Sequence, residues 1–447
     1  MALSIVFYRL FLALYAVGVR IAALKSPKAR LWIRGRRGIK SRFREAGSRI
    51  RSASGPVIWF HCASLGEFEQ GRPVMEELKA KYPNARMLVT FFSPSGYEIR
   101  KNYALADHID YLPLDSPANA NLLLDSFRPD LVIFVKYEFW YYYIRETKRR
   151  NIPLLLISGA FRSDQPFFQW YGKLHRNMLN GFYHLFVQYP HHEEILREYG
   201  FNAVTACGDT RFDRVIATAE KGTELPLIEA FCGEHPVLVA GSTWTEDDEE
   251  LCHYSKTHPE IRFVIAPHEV DEDNISDLEK LFPNNIRYSA LSRLLGKAPH
   301  PSSVSPEWVP PASEERLLQE KFEKATTLII DNIGMLSRLY RYAQVTYVGG
   351  GFGTNGLHNI LEAAVYGKPV LFGPNHEKFP EAGEMIDAGG AFSVSNALEL
   401  EKKLDEFFQR VEVREAAGKA AREYIYRSKG ATAKIVEFIQ ANRLLTI

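Results

Sequence analysis

Ten short apolar runs, each of four or five residues and each set off by a helix-period or polar stretch, constrain this chain more than any other feature. The first five are Val57–His61, Met87–Phe91, Leu131–Val135, Leu154–Ile157 and Leu185–Gln188. The second five are Val237–Ala240, Arg262–Ala266, Thr327–Ile330, Val345–Val348 and Pro369–Phe372. Runs of near-continuous Val, Ile, Leu and Phe separated by helices mark parallel strands covered on both faces. The intervening segments, such as Glu67–Lys81 and Trp140–Arg150, supply the covering helices. At 447 residues the chain is long enough for two or three domains. The expected fold is therefore α/β, with two doubly wound Rossmann-like domains facing a cleft. We place the boundaries at 1–24, a membrane-associated helix, 25–222, the first α/β domain, and 223–447, the second. The strandless stretch 213–236 reads as the crossing between the halves. A long terminal helix from Leu398 to Ser428 is expected, and it could pack back on the first domain.

Charge is unevenly spread. Residues 1–51 hold 13 Lys or Arg and one acid, Glu45, whereas the other 396 residues are net acidic although the whole chain is +1. Residues 1–24 are apolar at all but Ser4, Arg9, Gly18 and Arg20. At about 100° per residue Arg9 and Arg20 share one helix edge. An apolar helix with one cationic edge can lie in a bilayer interface, or span it with its arginines snorkelling. The eleven basic residues of Lys25–Arg51 follow it, a pattern suited to anionic head groups and to a cytoplasmic main body. A cleaved signal peptide and a buried core helix are the alternatives. Nucleic-acid binding is not expected, because the basic run adjoins an apolar helix rather than a second basic surface. Four cysteines with no CxxC pair argue against a disulfide scaffold or a zinc ribbon.

In doubly wound sheets, ligands bind beyond the carboxyl ends of the strands, so the loops there hold the candidates. Glu67 opens the helix after the first strand, where it is either a first-turn acid or a general base. Glu138 follows the third strand amid aromatics, paired with Lys136 or an arginine, or else oriented toward a site. Arg162 and Arg211 stand just past strand ends, suited to an anionic phosphate. In the second half, Gly241-Ser242-Thr243-Trp244 leads into an acidic helix and looks like a phosphate turn. Pro267-His268 ends the next strand. Asp247 and Asp248 read as part of a solvated acidic face. The glycines of Tyr347–Pro374 suit close backbone approach to a ligand, with a helix starting near Leu357. Glu362, one turn after His358-Asn359, is placed to hold a ribose diol. Gly351, Gly353 and Gly356 match GxGxxG literally, but the next strand ends without the acid that a dinucleotide site needs. No HExxH or other metal signature occurs, and no metal or cofactor is expected.

Taken together, HCASLGE, Glu138-Phe139-Trp140, GDTRFD and GGGFGTNGLHNILEAAVYGKPVLFGP, with the apolar and basic amino terminus, resemble the 3-deoxy-D-manno-octulosonic acid (Kdo) transferases of lipopolysaccharide biosynthesis. The resemblance covers nearly the whole chain. It implies a metal-independent, inverting glycosyltransferase of GT-B architecture on the cytoplasmic face of the cell inner membrane. Its donor is then CMP-Kdo, its acceptor the lipid A precursor, and its surroundings anionic lipids. The first domain then binds the acceptor and the second the donor. By the same resemblance Glu67 is the catalytic base, and Glu138 and Arg211 stabilise the transition state. Pro267, His268, Gly334, Met335, Leu336, Asn359, Ile360, Leu361 and Glu362 fall on the segments that bind the CMP moiety. The family commonly has lysine where Arg211 stands, arginine where His268 stands, and Gly-Glu-Leu for Gly334-Met335-Leu336. A nucleotide-sugar epimerase or hydrolase of the same fold, and a non-catalytic membrane-bound nucleotide-binding module, are the competing readings.

Overall fold

The computed structural model describes residues 2–295, 312–354 and 356–445. The chain divides into two compact units, Met1–Arg214 with Lys429–Ile447, and Val215–Ser428. The division falls inside the helix Thr210–Lys221. The 213–236 stretch is carried by that helix and by Pro226–Cys232.

The first unit holds a sheet of seven strands: β1 (Val57–Cys62), β2 (Arg86–Phe91), β3 (His108–Tyr111), β4 (Leu131–Val135), β5 (Leu154–Gly159), β6 (His184–Val187) and β7 (Val204–Ala206). Their order is β3-β2-β1-β4-β5-β6-β7, and every neighbouring pair is parallel. β1 shows why an unbroken apolar run is needed. All six residues are buried, with Val57 and Trp59 in one core and Ile58, Phe60 and Cys62 in the other. A period of two thus feeds both faces of the sheet.

The second unit repeats the plan with β8 (Val237–Thr243), β9 (Arg262–Pro267), β10 (Asn285–Arg287), β11 (Thr327–Ile329), β12 (Val345–Val348), β13 (Val370–Phe372) and β14 (Ala391–Ser393). The order is β10-β11-β9-β8-β12-β13-β14, again with all pairs parallel. Chain order reverses between β1 and β4 in one sheet and between β8 and β12 in the other. These are the two switch points at which such sheets bind ligands.

Both ends of the chain depart from simple expectation. The Leu398–Ser428 segment is two helices, Ala397–Gln409 and Val411–Arg427, that belong to the second unit. The helix that returns to the first unit is the next one, Ala431–Ala441, whose Ile435, Val436 and Ile439 join the core beneath β1. Its amino end is held by Asp213, which accepts from the Gly430 and Thr432 N–H groups at 2.7 Å each.

At the amino end, helix Ala2–Ala22 is docked along one side. Leu12 is buried, Ile5 and Tyr8 pack on the core, and the Tyr15 ring meets Trp32 and Phe92. The Tyr8 hydroxyl donates to the buried Asp115 at 2.7 Å. Asp115 also accepts from the Tyr142 and Tyr143 N–H groups, and burial raises its carboxyl to about 6. The opposite side, from Leu3, Phe7, Leu10 and Leu14 to Val17 and Ile21, is exposed. Leu3–Ala22 is long and apolar enough to cross a membrane, with a mean hydropathy of 1.8.

The basic run behind it is partly structural. Helix Ile39–Arg51 buries Ile39, Phe43, Ala46 and Ile50. Arg42 forms a two-point pair with Asp110 at 2.7 and 2.8 Å. Arg36 donates to the carbonyls of Leu112 and Phe92 and lies 3.8 Å from the Trp32 ring centre. Burial pulls its guanidinium down to about 9. Lys25, Lys28, Arg34, Arg37, Lys40 and Arg44 remain exposed.

Candidate functional site

In the first unit the site residues gather at the β1/β4 switch point. Ser64 leaves β1 in extended conformation and caps the helix Leu65–Lys81. Glu67, at the third helical position, closes a capping box: its Oε2 accepts from the Ser64 N–H at 2.7 Å and from the Ser64 hydroxyl. The first-turn-acid reading is therefore met in full, and it fixes the carboxylate in one orientation with Oε1 outside the box.

Glu138 lies four residues beyond Phe134, the β4 residue in register with His61 of β1. Among the described residues no ion pair joins it to Lys136 or to an arginine, one of the two alternatives for it. Its Oε2 accepts from the Trp140 indole at 2.5 Å and lies 2.7 Å from His61 Nε2. His61 Nδ1 lies 2.9 Å from the Thr90 hydroxyl and 3.0 Å from the Thr90 carbonyl oxygen, and the Trp140 indole also reaches His61 Nε2, at 3.2 Å. The Cys62 thiol, pushed well up by burial, also feels the charges of both Glu67 and Glu138, which places the two carboxylates around one strand end.

Arg211 opens the helix after β7. Its Nε pairs with the buried Asp209 at 2.8 Å, and Asp209 is held in turn by Gln188. Thr210 ties this helix start to the Glu67 helix by donating its hydroxyl to the Gln70 carbonyl at 2.5 Å. Arg162 instead pairs with Asp164 in an exposed position.

In the second unit the β8/β12 switch point gathers Trp244, His268 and His358. The His268 ring stacks 4.6 Å from Trp244 and 4.5 Å from His358. The Trp244 indole donates to His358 Nε2 at 3.1 Å, which requires a neutral imidazole there. Burial, with the charge of His268, pulls His358 down to about 4, in agreement. Asn359 donates to Glu362 Oε1 at 3.1 Å. Leu336 and Tyr340 press on Gly241 at the end of β8, and Tyr340 feels the charge of Glu362. His268, Gly334, Leu336, Asn359 and Glu362 are accessible, whereas Pro267, Met335, Ile360 and Leu361 are buried and can meet a ligand only through their backbones.

Four expectations about this half change. Asp247 and Asp248 are buried, not a solvated face. Asp247 accepts from the Trp244 and Gly350 N–H groups and from the Tyr347 hydroxyl, so it clamps the turn to the glycine loop. With Glu246, these acids occupy the first turn of helix Thr245–Thr257, and the Gly241–Trp244 turn is therefore no phosphate cradle. The helix expected from Leu357 is a single turn, Leu361–Ala364. The glycines serve packing. A Cβ on Gly349 would lie 2.4 Å from the Ser242 carbonyl oxygen, and one on Gly351 2.6 Å from the Gly373 nitrogen. Asn355 of the GxGxxG match lies outside the described residues, and no helix follows the glycines directly, as that motif requires.

His61, Asp209 and Trp244 are the partners that the residue-by-residue reading did not single out. A histidine closing the apolar run Val57–His61 was the available signal, because a buried polar side chain needs a partner. Among the described residues no group of three or more His, Cys, Asp or Glu side chains is arranged to hold a metal ion.

A family model for 3-deoxy-D-manno-octulosonic-acid transferases matches residues 37–214. The chain is 27% identical over 357 residues to the 3-deoxy-D-manno-octulosonic acid transferase of Aquifex aeolicus, spanning 78% of this chain and 85% of that one. It is 21% identical over 406 residues to the enzyme of that name from Haemophilus influenzae, spanning 86% of each. Among solved structures it is similar to the UDP-GlcNAc 2-epimerase of Neisseria meningitidis, at a TM-score of 0.57 and 16% identity over 86% of this chain and all of that one. Likeness at that identity speaks to fold alone, and the fold is GT-B-like: two parallel α/β sheets preceded by an apolar helix.

Proposed function

Since the chain belongs to the Kdo transferase family, we propose that it transfers Kdo from CMP-Kdo to the lipid A precursor, without a metal ion and with inversion. The observation that carries the reading is the pair of carboxylates, Glu67 and Glu138, at the carboxyl ends of neighbouring strands in the family-matched region.

Glu67 takes the proton of an acceptor sugar hydroxyl through Oε1, the oxygen its capping box leaves outside. The hydroxyl oxygen bonds to the anomeric carbon of Kdo from the face opposite CMP. The bond from that carbon to the phosphate oxygen breaks, and its electron pair leaves with CMP. Arg211 supplies positive charge for the developing anion, at an angle set by Asp209. Glu138, held by His61 and the Trp140 indole, keeps a carboxylate beside the reacting groups. In the second unit His268, Asn359 and Glu362 hold the CMP moiety, Glu362 through the ribose hydroxyls.

The exposed side of helix Ala2–Ala22 and the exposed basic residues from Lys25 to Arg44 seat the protein on the anionic cytoplasmic face of the inner membrane. Contacts at Ile5, Tyr8, Leu12 and Tyr15 hold the helix along the first unit, which favours lying in the interface over crossing it.

The epimerase reading rests on fold likeness alone. Acceptor-dependent CMP release separates the transferase from the competing readings. A transferase frees CMP from CMP-Kdo only when the lipid acceptor is present, a hydrolase frees it without acceptor, and an epimerase or binding module frees none.

A further inference from the structure

Beside Trp140 lies an apolar cavity of about 430 Å³. One wall is the amino-terminal helix, through Tyr8, Phe11 and Leu12, and the other includes Phe139, Phe167 and Met178. We infer that this cavity holds one hydrocarbon chain of the lipid acceptor, so that the helix forms part of the substrate site as well as an anchor. The inference rests on the transferase reading for the identity of the lipid, and on the following geometry for the groove itself.

The volume falls within the roughly 300–1,000 Å³ of ligand pockets. Phe11 belongs to both surfaces: it lines the cavity and is 62% exposed on the helix. The groove is thus continuous with the apolar side that runs from Leu3 to Ile21, and a chain can enter it from the bilayer without crossing water. At the other end stands Trp140, whose indole holds Glu138. A lipid whose chain lies in the groove therefore has its head group near the candidate catalytic carboxylates. Trp170 and Tyr171, three and four residues beyond Phe167, are 91% and 56% exposed, the residue types that settle at a membrane interface. The wall is not wholly apolar. His175 lines it, and its Nδ1 is buried without a hydrogen-bond partner among the described residues, available to an acyl carbonyl or hydroxyl. A bulk phospholipid has the same chains but no reason to place its head group at Glu138, so the acceptor is the occupant.

The test uses the full chain on vesicles of phosphatidylethanolamine and phosphatidylglycerol. One preparation carries an acylated, phosphorylated glucosamine disaccharide with a diazirine on one chain, and the other carries a phospholipid with the same diazirine chain. After illumination the disaccharide probe should label Phe11, Leu12, Phe167 or Met178, and excess unlabelled disaccharide lipid should suppress that labelling. Labelling confined to Leu10, Leu14 and Val17, or equal labelling of the groove by the phospholipid, would overturn the inference. In a second arm Met178→Trp fills the cavity. The ratio of kcat/KM for acylated over deacylated acceptor should fall about tenfold or more, the scale of a blocked apolar pocket; an unchanged ratio would also overturn it. If the wild-type protein transfers Kdo to neither acceptor, the transferase reading fails, and the labelling still decides whether the groove takes a chain.

Discussion

His61 Nε2 lies 2.7 Å from Glu138 Oε2, and both side chains are buried. Neither residue alone accounts for the pair: the strand places the histidine, and the loop after β4 brings the carboxylate back across it. Removing either one takes a polar partner from the other inside the core, where the Trp140 indole and Thr90 supply the remaining contacts. His61→Ala and Glu138→Ala should each destabilise the protein by about 1–3 kcal/mol. The double variant should cost less than the sum, with a coupling of about 0.5–3 kcal/mol. Denaturant unfolding of the four proteins measures this; additive losses would show that the pair is not coupled.

The capping box separates two roles of Glu67. Glutamine serves the third position of a capping box as glutamate does, but it cannot accept a proton at neutral pH. Glu67→Gln should therefore keep the melting temperature and CMP affinity while transfer falls by about 100-fold or more. Glu67→Ala should lose transfer and also about 1 kcal/mol of stability, the scale of a lost cap. Turnover by Glu67→Gln within a few-fold of wild type would remove Glu67 from the chemistry.

Nucleotide binding should be a property of the second unit's residues and independent of divalent ions. Calorimetry in EDTA should show CMP binding by the full chain, and Glu362→Ala should weaken it by about 1–3 kcal/mol through loss of a ribose hydrogen bond. Binding that disappears on chelation would refute the metal-free mechanism.

His358 gives a pH dependence of defined sign. Burial holds its pKa at about 4 in the folded protein, whereas an unfolded histidine titrates near 6.5. Between about pH 6.5 and 4 the unfolded chain takes up a proton that the folded chain refuses. Stability from this residue is thus present above about pH 6.5 and is lost as pH falls toward 4. Melting temperatures of wild type and His358→Gln across that range should converge on acidification, and parallel curves would contradict the assignment.

The docked helix changes what its removal should do. Deleting residues 1–24 should reduce sedimentation with anionic vesicles, and raising salt should strip the truncated form further by screening the basic residues that remain. It should also lower the melting temperature, because Asp115 loses the Tyr8 hydroxyl and the Tyr141–Tyr142 surface is uncovered. Tyr8→Phe alone should cost about 1 kcal/mol.

Each of the ten apolar runs corresponds to a strand, and the four strands outside them share one property. β3, β7, β10 and β14 are the edges of their sheets. Edge strands are short and carry polar residues, as in His108-Ile109-Asp110-Tyr111 and Asn285-Ile286-Arg287, so they lack the apolar signal of a central strand. The candidate site was legible where residue type and strand end coincide, as at Glu67, Glu138 and His268. It was not legible where tertiary contacts decide. Asp247 looks like one of several helix acids, and only the approach of Gly350 and Tyr347 buries it. The glycines after β12 looked made for a ligand, but Ser242 and Gly373 already occupy the space beside them.

Mass spectrometry of the lipid shows directly whether Kdo is transferred and whether Glu67 is needed for it. The full-length protein is incubated with CMP-Kdo and tetra-acylated lipid A precursor in EDTA, beside Glu67→Gln. Wild type should convert the precursor to a product heavier by one or more whole Kdo residues, and the variant should leave it almost unchanged over the same time. A wild-type protein that leaves the precursor at its starting mass while still binding CMP would contradict the transferase reading.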